Sequence, residues 1–259
     1  MIAVAAPTSE DALLGGKLTL RQPLRGHRFG HDAVLLAAAT PARAGEHAIE
    51  LGAGVGAAGL ALARRVEGLG VTLIELDANL ATLARENAAR NALADRVRVL
   101  CLDVAAPIAQ FAAAGLALDS ADHVLMNPPF NAPHNPSPDQ ARRLAHAASP
   151  GSPARWVDSA ARLLRSQGVL TLIWRADGLA DVLAALTAGF GAIAIVPVYP
   201  KPGAAAMRVL VSAAKNSQAP LTLLPGLLLA DSNNKPSAQA EAILRDGAAL
   251  VLRLADQRR

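Results

Sequence analysis

The chain has 259 residues; 52% are hydrophobic, 3% aromatic and 18% charged. That is enough apolar material for a sizeable core, and it excludes a disordered chain. The formal net charge of +4 is compatible with a polyanionic partner without requiring one. The single cysteine, Cys101, excludes an internal disulfide and lies in an apolar run, where it reads as a small buried hydrophobe. Residues 1–8 show no basic segment followed by a long apolar stretch, and no apolar run reaches about 18 residues. Neither a signal peptide nor a membrane span is expected, and a cytoplasmic monomer or homodimer is the default.

In chain order, Leu18 and Leu20 alternate with Lys17, Thr19 and Arg21, the period of a short strand or hairpin arm. A basic loop with Arg25, His27, Arg28 and His31 follows. Asp32 is placed as the N-cap of a helix through Ala39, which Pro41 stops. From Glu46 onward strand and helix alternate. Strands fall at 48–51, 71–76, 97–102, 123–126 and 168–174; helices fall at 57–66, 78–91, 108–113, 154–165 and 178–188. Two more strands, 190–198 and 207–213, are joined by Tyr199-Pro200-Lys201-Pro202-Gly203 as a hairpin. Strands apolar on both faces and separated by helices predict an α/β fold. Its sheet is mostly parallel with an antiparallel last strand, and helices cover both faces. Residues 1–45 read as an N-terminal extension, 46–214 as the core and 215–259 as an extension packed on it. The tail contains one or two short strands within 221–229 and a helix over 238–245.

The first core strand ends Glu50-Leu51-Gly52-Ala53-Gly54-Val55-Gly56. Glycines there permit positive φ and close approach of a ligand to the backbone. In dinucleotide folds such a turn presents a helix N-terminus to a pyrophosphate. Here an acid precedes alternating glycines; Glu50 would repel a pyrophosphate and suit an ammonium group. Taken alone, the turn is equally a strand–helix connection with no ligand. The second strand ends Ile74-Glu75-Leu76-Asp77, where Glu75 either binds ribose hydroxyls or caps the next helix, and Leu76 can lie on an adenine face. The third ends Leu102-Asp103-Val104, where Asp103 either accepts an adenine amino hydrogen, with the Val104 N–H reaching a ring nitrogen, or caps a helix. Three acids at the carboxyl ends of three successive strands favour a ligand, because that edge of an open α/β sheet is where ligands sit.

The fourth strand ends Met126-Asn127-Pro128-Pro129-Phe130. Each proline pushes the residue before it into extended backbone. Proline has no N–H, so the carbonyls of this segment lack local partners. The Asn127 side chain and the Pro128 carbonyl can take both hydrogens of a planar amine, and Phe130 can stack on its ring. On its own, Asn-Pro-Pro is a turn.

At these residues the chain resembles the class I S-adenosylmethionine-dependent methyltransferases of the Asn-Pro-Pro-aromatic group, and within it the bacterial tRNA1(Val) adenine-37 N6-methyltransferase family. The resemblance extends to Leu18-Thr19-Leu20-Arg21-Gln22-Pro23 and to Gly26-His27-Arg28-Phe29-Gly30-His31-Asp32-Ala33-Val34-Leu35-Leu36. It covers residues 10–214, and implies a Rossmann-like sheet with S-adenosylmethionine as cofactor. Glu50, Gly52, Ala53, Gly54 and Gly56 would line its methionine end, Glu75 and Leu76 its ribose and adenine, Asp103 and Val104 its adenine. Asn127, Pro128, Pro129 and Phe130 would hold the target amine, and Asp32 would close over the methionine moiety. His31 departs from the family's Ser or Thr. RNA, most simply tRNA, is the implied partner. Lys17, Arg21, Arg25 and Arg28 are candidates for phosphate contacts or are solvated charge. Protein glutamine and other small-molecule or rRNA amines remain alternative acceptors. His27, His31, His134 and His146 lack metal-ligand spacing, so no metal is expected.

Overall fold

The computed structural model describes residues 7–25, 28–129, 152–187 and 189–252. In chain order it contains β1 (Thr8–Leu13), β2 (Leu18–Pro23), α1 (His31–Ala39), β3 (His47–Leu51), α2 (Ala57–Arg65), β4 (Gly70–Glu75), α3 (Ala78–Arg90) and β5 (Val97–Cys101). There follow α4 (Ile108–Ala113), β6 (Ala121–Met126), α5 (Pro153–Leu163), β7 (Leu164–Arg175), α6 (Leu179–Leu186), β8 (Phe190–Tyr199) and β9 (Arg208–Lys215). The tail adds β10 (Thr222–Leu223), β11 (Leu227–Leu228) and α7 (Ala238–Glu241), the last running into a wider π-type turn at Ala242–Asp246.

Nine strands form one sheet in the order β10-β8-β9-β7-β6-β3-β4-β5, with β11 also paired to β8. Only β9 runs antiparallel, between β7 and β8. The chain moves outward from β3 through β4 to β5, then returns to place β6 on the other side of β3. The strand order therefore reverses between β3 and β6, and a crevice opens there outside the carboxyl ends of the strands. Glu50 with its glycine turn stands on one lip and Asn127 on the other.

Alternation along the strands sends side chains to two separate cores. Ala48, Val71, Leu73, Leu125, Ile173 and Leu210 pack with α1, α2 and α3 on one face. Ile49, Ile74, Val124, Met126, Leu172 and Val211 pack with α4, α5 and α6 on the other. Both faces of the inner strands β3, β4 and β6 are buried, which is why they read as continuous apolar runs.

The hairpin of β1 and β2 forms its own two-stranded sheet. It is tied to the core by two side-chain amides one helical turn apart, Asn87 on α3 and Asn91 at its C-cap. Asn87 Oδ1 accepts the Arg21 N–H at 2.7 Å, and Asn87 Nδ2 donates to the carbonyls of Arg21 and Val55. Asn91 does the same for Thr19 at 3.0 and 2.8 Å. The two side chains thus replace a neighbouring strand for β2. Asn87, fully buried, also joins the hairpin to the glycine turn.

Two sequence expectations are corrected. Cys101 is exposed, because β5 is the edge strand and Cys101 is its last residue; its thiol lies 3.5 Å from the Leu76 carbonyl oxygen. Asp32 is not the N-cap of α1: the cap lies two residues earlier, at Gly30, and Asp32 sits in the first turn.

Candidate active site

The first lip is built on backbone that a side chain would strain. Gly52, Gly54 and Gly56 have φ of +69°, +56° and +88°. A Cβ on Gly52 would lie 2.6 Å from the Trp156 ring, whereas one on Gly54 would meet nothing within 4 Å. The turn is thus packed from below by α5 and open above Gly54. Ala53 is buried and donates its N–H to the Ile74 carbonyl at 2.9 Å.

Two acids fix this turn from different sides. Glu50 is 4% exposed, and its Oε2 accepts the Gly59 N–H of α2 at 2.7 Å. Only glycine fits at 59: a Cβ there would stand 2.3 Å from Leu73 Cδ2 and 2.7 Å from Glu50 Oε2. Burial pushes the Glu50 carboxyl up to about 8; the Gly59 N–H opposes that and neighbouring Glu75 adds to it. Glu75 is half-buried, and Oε2 accepts the Gly54 N–H at 2.7 Å while Oε1 accepts the Asp77 N–H at 2.8 Å. Each oxygen keeps a further lone pair for a hydroxyl. The capping alternative for Glu75 belongs instead to Asp77, whose Oδ1 accepts the N–H groups of Asn79 and Leu80.

Leu76 is 65% exposed beside this carboxylate. Asp103 is half-buried; its side chain takes the Ala105 N–H at 2.8 Å, and Val104 beside it is half-buried too. Glu50, Glu75 and Asp103 therefore lie at or just beyond the carboxyl ends of three adjacent strands, on the edge of the sheet where ligands sit. These residues fit a nucleoside-linked amino acid: an open glycine turn, a buried carboxyl for an ammonium, and a half-exposed carboxylate for a diol.

On the other lip Asn127 is half-buried, Pro128 buried and Pro129 exposed. The Asn127 Oδ1 is buried and, among the described residues, has no hydrogen-bond partner. Phe130, His27, His134 and His146 lie outside the described residues. Near this lip, Asp32 Oδ2 accepts from Arg208 Nε at 2.8 Å, joining the start of α1 to the start of β9. Arg208 and Trp156 had no local sequence signal. Gly59 had one, a lone glycine inside a helical pattern.

Lys17, Arg21, Arg25 and Arg28 do not form one free cationic patch. Arg21 pairs with Glu10 and Arg28 with Asp11, both acids of β1. Lys17 donates to the Asp246 carbonyl at the far end of β2, roughly 20 Å from Pro23 at about 3.3 Å per residue. Arg25 is exposed.

The methyltransferase small domain family model matches residues 28–201, from the loop before α1 to the hairpin after β8. The chain belongs to this family. It is an S-adenosylmethionine-dependent methyltransferase. A tRNA1(Val) (adenine(37)-N6)-methyltransferase from Dickeya chrysanthemi is 28% identical over 91% of this chain and 95% of its own length. Another from Tolumonas auensis is 30% identical over 62% and 65%. The crystal structure of a predicted O-methyltransferase from Agrobacterium tumefaciens superposes with a TM-score of 0.73 at 30% identity, covering 86% of this chain and all of that one.

Proposed function

We propose that this methyltransferase acts on the exocyclic N6 amine of an adenine in tRNA, held at Asn127, Pro128, Pro129 and Phe130. The observation that carries the reading is the bare, buried Asn127 Oδ1. Leaving a buried carbonyl without a donor costs roughly 1–3 kcal/mol, so its presence asks for an incoming N–H. An amine brings two hydrogens, one for Asn127 Oδ1 and one for the Pro128 carbonyl. A hydroxyl, the acceptor that the name of the Agrobacterium protein implies, brings one and leaves a carbonyl unmet. The names of the curated relatives agree with the amine.

S-adenosylmethionine, when bound, supplies an electrophilic methyl group on a sulfonium centre. Glu50 and the turn of Gly52, Ala53, Gly54 and Gly56 would receive its amino-acid end, with Asp32 closing nearby. Glu75 would take the ribose hydroxyls, and Leu76, Asp103 and Val104 the adenine. No strong base is needed: the two carbonyls orient the acceptor nitrogen and stabilise the positive charge that develops on it, and the nitrogen, once it carries the methyl in place of the sulfonium, gives up one of its two N–H protons to solvent. An adenine in an RNA loop must first swing out of its stack, and Phe130 offers the ring it would stack on. In this reading the protein works in the cytoplasm; among the described residues no helix is long and apolar enough to cross a membrane.

The test is incorporation of labelled methyl into undermodified total tRNA, followed by nucleoside analysis. N6-methyladenosine is the expected product. No incorporation, with cofactor binding intact, overturns the acceptor assignment, and methylation of a glutamine-bearing peptide instead moves it to protein.

A further inference from the structure

A second concavity, of about 720 Å³, wraps around the amino-terminal half of the edge strand β5. Its walls carry three arginines, Arg85, Arg96 and Arg98, and a single carboxylate, Asp95. None of the three arginines forms an ion pair among the described residues, whereas Arg21, Arg28 and Arg90 each have an acid. Their guanidinium groups are held by backbone carbonyls instead. Arg85 donates to Val99 at 3.3 Å, Arg96 to Val66 and Leu69 at 3.0 and 3.4 Å, and Arg98 to Ala114 and Gly115. A carbonyl fixes the direction of a guanidinium without cancelling its charge, and each fork of five N–H groups keeps donors to spare.

The arrangement is a row, not a point. Arg85 projects from α3 on one face of the sheet. Arg98 reaches the end of α4 on the other, with β5 between them. A compact anion cannot touch both sides of a strand; an extended polyanion laid along the sheet edge can. Register places the row within reach of the acceptor lip. Arg98 lies opposite Thr72, Thr72 opposite Ile49 and Ile49 opposite Val124, three residues short of Asn127. Three strand spacings of about 4.8 Å and three residues of about 3.3 Å put Arg98 roughly 17 Å from Asn127.

We propose that this groove binds the phosphodiester backbone of the RNA substrate away from the methylated nucleotide, with Arg85, Arg96 and Arg98 as phosphate contacts. The proposal rests on the RNA reading above. It assigns the protein's backbone contacts to the β5 edge, not to the N-terminal segment, whose arginines are largely occupied by Glu10 and Asp11. Such contacts set affinity and register and carry no sequence information.

The experiment is equilibrium binding of an unmodified tRNA transcript to the full-length protein across about 50–200 mM salt, beside cofactor binding and turnover. Three phosphate contacts contribute about 2 to the slope of log affinity against log salt for a single strand. The R85A/R96A/R98A variant is expected to lose that slope and at least about tenfold in affinity at low salt. Its cofactor affinity, and its turnover at saturating RNA, stay at the wild-type level. Replacing all three by lysine keeps the slope. Because Arg96 and Arg98 each brace two carbonyls, Arg85→Glu, at an exposed position of α3 with a single carbonyl contact of 3.3 Å, serves as the least disruptive variant, and it should weaken binding by itself. Wild-type affinity and slope in both the triple-alanine and the Arg85→Glu proteins overturn the proposal, as does a wild type that does not bind the transcript. A wild type that binds but transfers no methyl counts against the acceptor assignment, and loss of slope in the variants still supports the groove in that case.

Discussion

On the β3–β4 side of the crevice the polar atoms are bound within the protein; on the β6 side a carbonyl oxygen is left bare. Glu50 and Glu75 hold Gly59 and Gly54 by their N–H groups, and Asn87 reaches the turn through Val55. Asn127 Oδ1 holds no donor among the described residues. The difference fits the two tasks. A cofactor pocket gains from being rigid before the ligand arrives, because less ordering is left for binding to supply. An acceptor site gains from an unmet hydrogen-bonding group, because the acceptor is then the only partner that satisfies it.

The largest expected effect comes from removing the bare group. Asn127→Ala should lower turnover about a hundredfold, the size typical of a lost oriented contact, while cofactor affinity measured by calorimetry stays unchanged. Unaltered turnover would remove Asn127 from the reaction. Gly59→Ala breaks the opposite side. Its Cβ must displace Leu73 and the Glu50 carboxyl, so a loss of about 1–3 kcal/mol in urea unfolding is expected, together with weaker cofactor binding.

The third prediction concerns pH. The folded state raises Glu50 from an ordinary 4.5 to about 8, chiefly by burial. The native protein therefore holds a proton that the unfolded chain releases earlier. This contribution to stability is complete below about 4.5 and is lost as pH rises through about 8, at up to about 1.4 kcal/mol per pH unit. Glu50→Gln should flatten that part of the stability profile. An ammonium beside Glu50 favours its ionised form, so cofactor uptake below pH 8 should release a proton in the wild type and none in the variant. Calorimetry in buffers of different ionisation heat reads this directly. The smallest effect is Asp77→Ala, which removes the cap of α3 and should cost about 1 kcal/mol in thermal or urea unfolding.

The alternating core was legible because its inner strands are buried on both faces and read as short apolar runs set apart by helical segments. β1 was not: Thr8–Leu13 is polar and mostly exposed, and it is held by the ion pairs of Glu10 and Asp11 with later arginines. The three acids and Asn127 were legible because each ends a strand, and strand ends share one edge of a parallel sheet. Partners distant in sequence left no local trace, as with Asp32 and Arg208, 176 residues apart. Cys101 was misread for a related reason. An apolar run shows that a strand exists, but only the order of strands shows that β5 is the outermost.

The antiparallel strand of the nine-stranded sheet has a consequence for synthesis. β7 and β8 do not pair with each other; β9, the last core strand to emerge from a ribosome, fills the gap between them. A nascent chain that ends before Lys215 therefore carries a bare edge on β7 and leaves β8, with its β10 and β11 partners still unmade, without a place in the sheet. Unpaired edges of this kind invite pairing between chains. Truncations that stop short of β9 should aggregate, and a chaperone that shields β7 and β8 should be needed until residue 215 is clear of the exit tunnel.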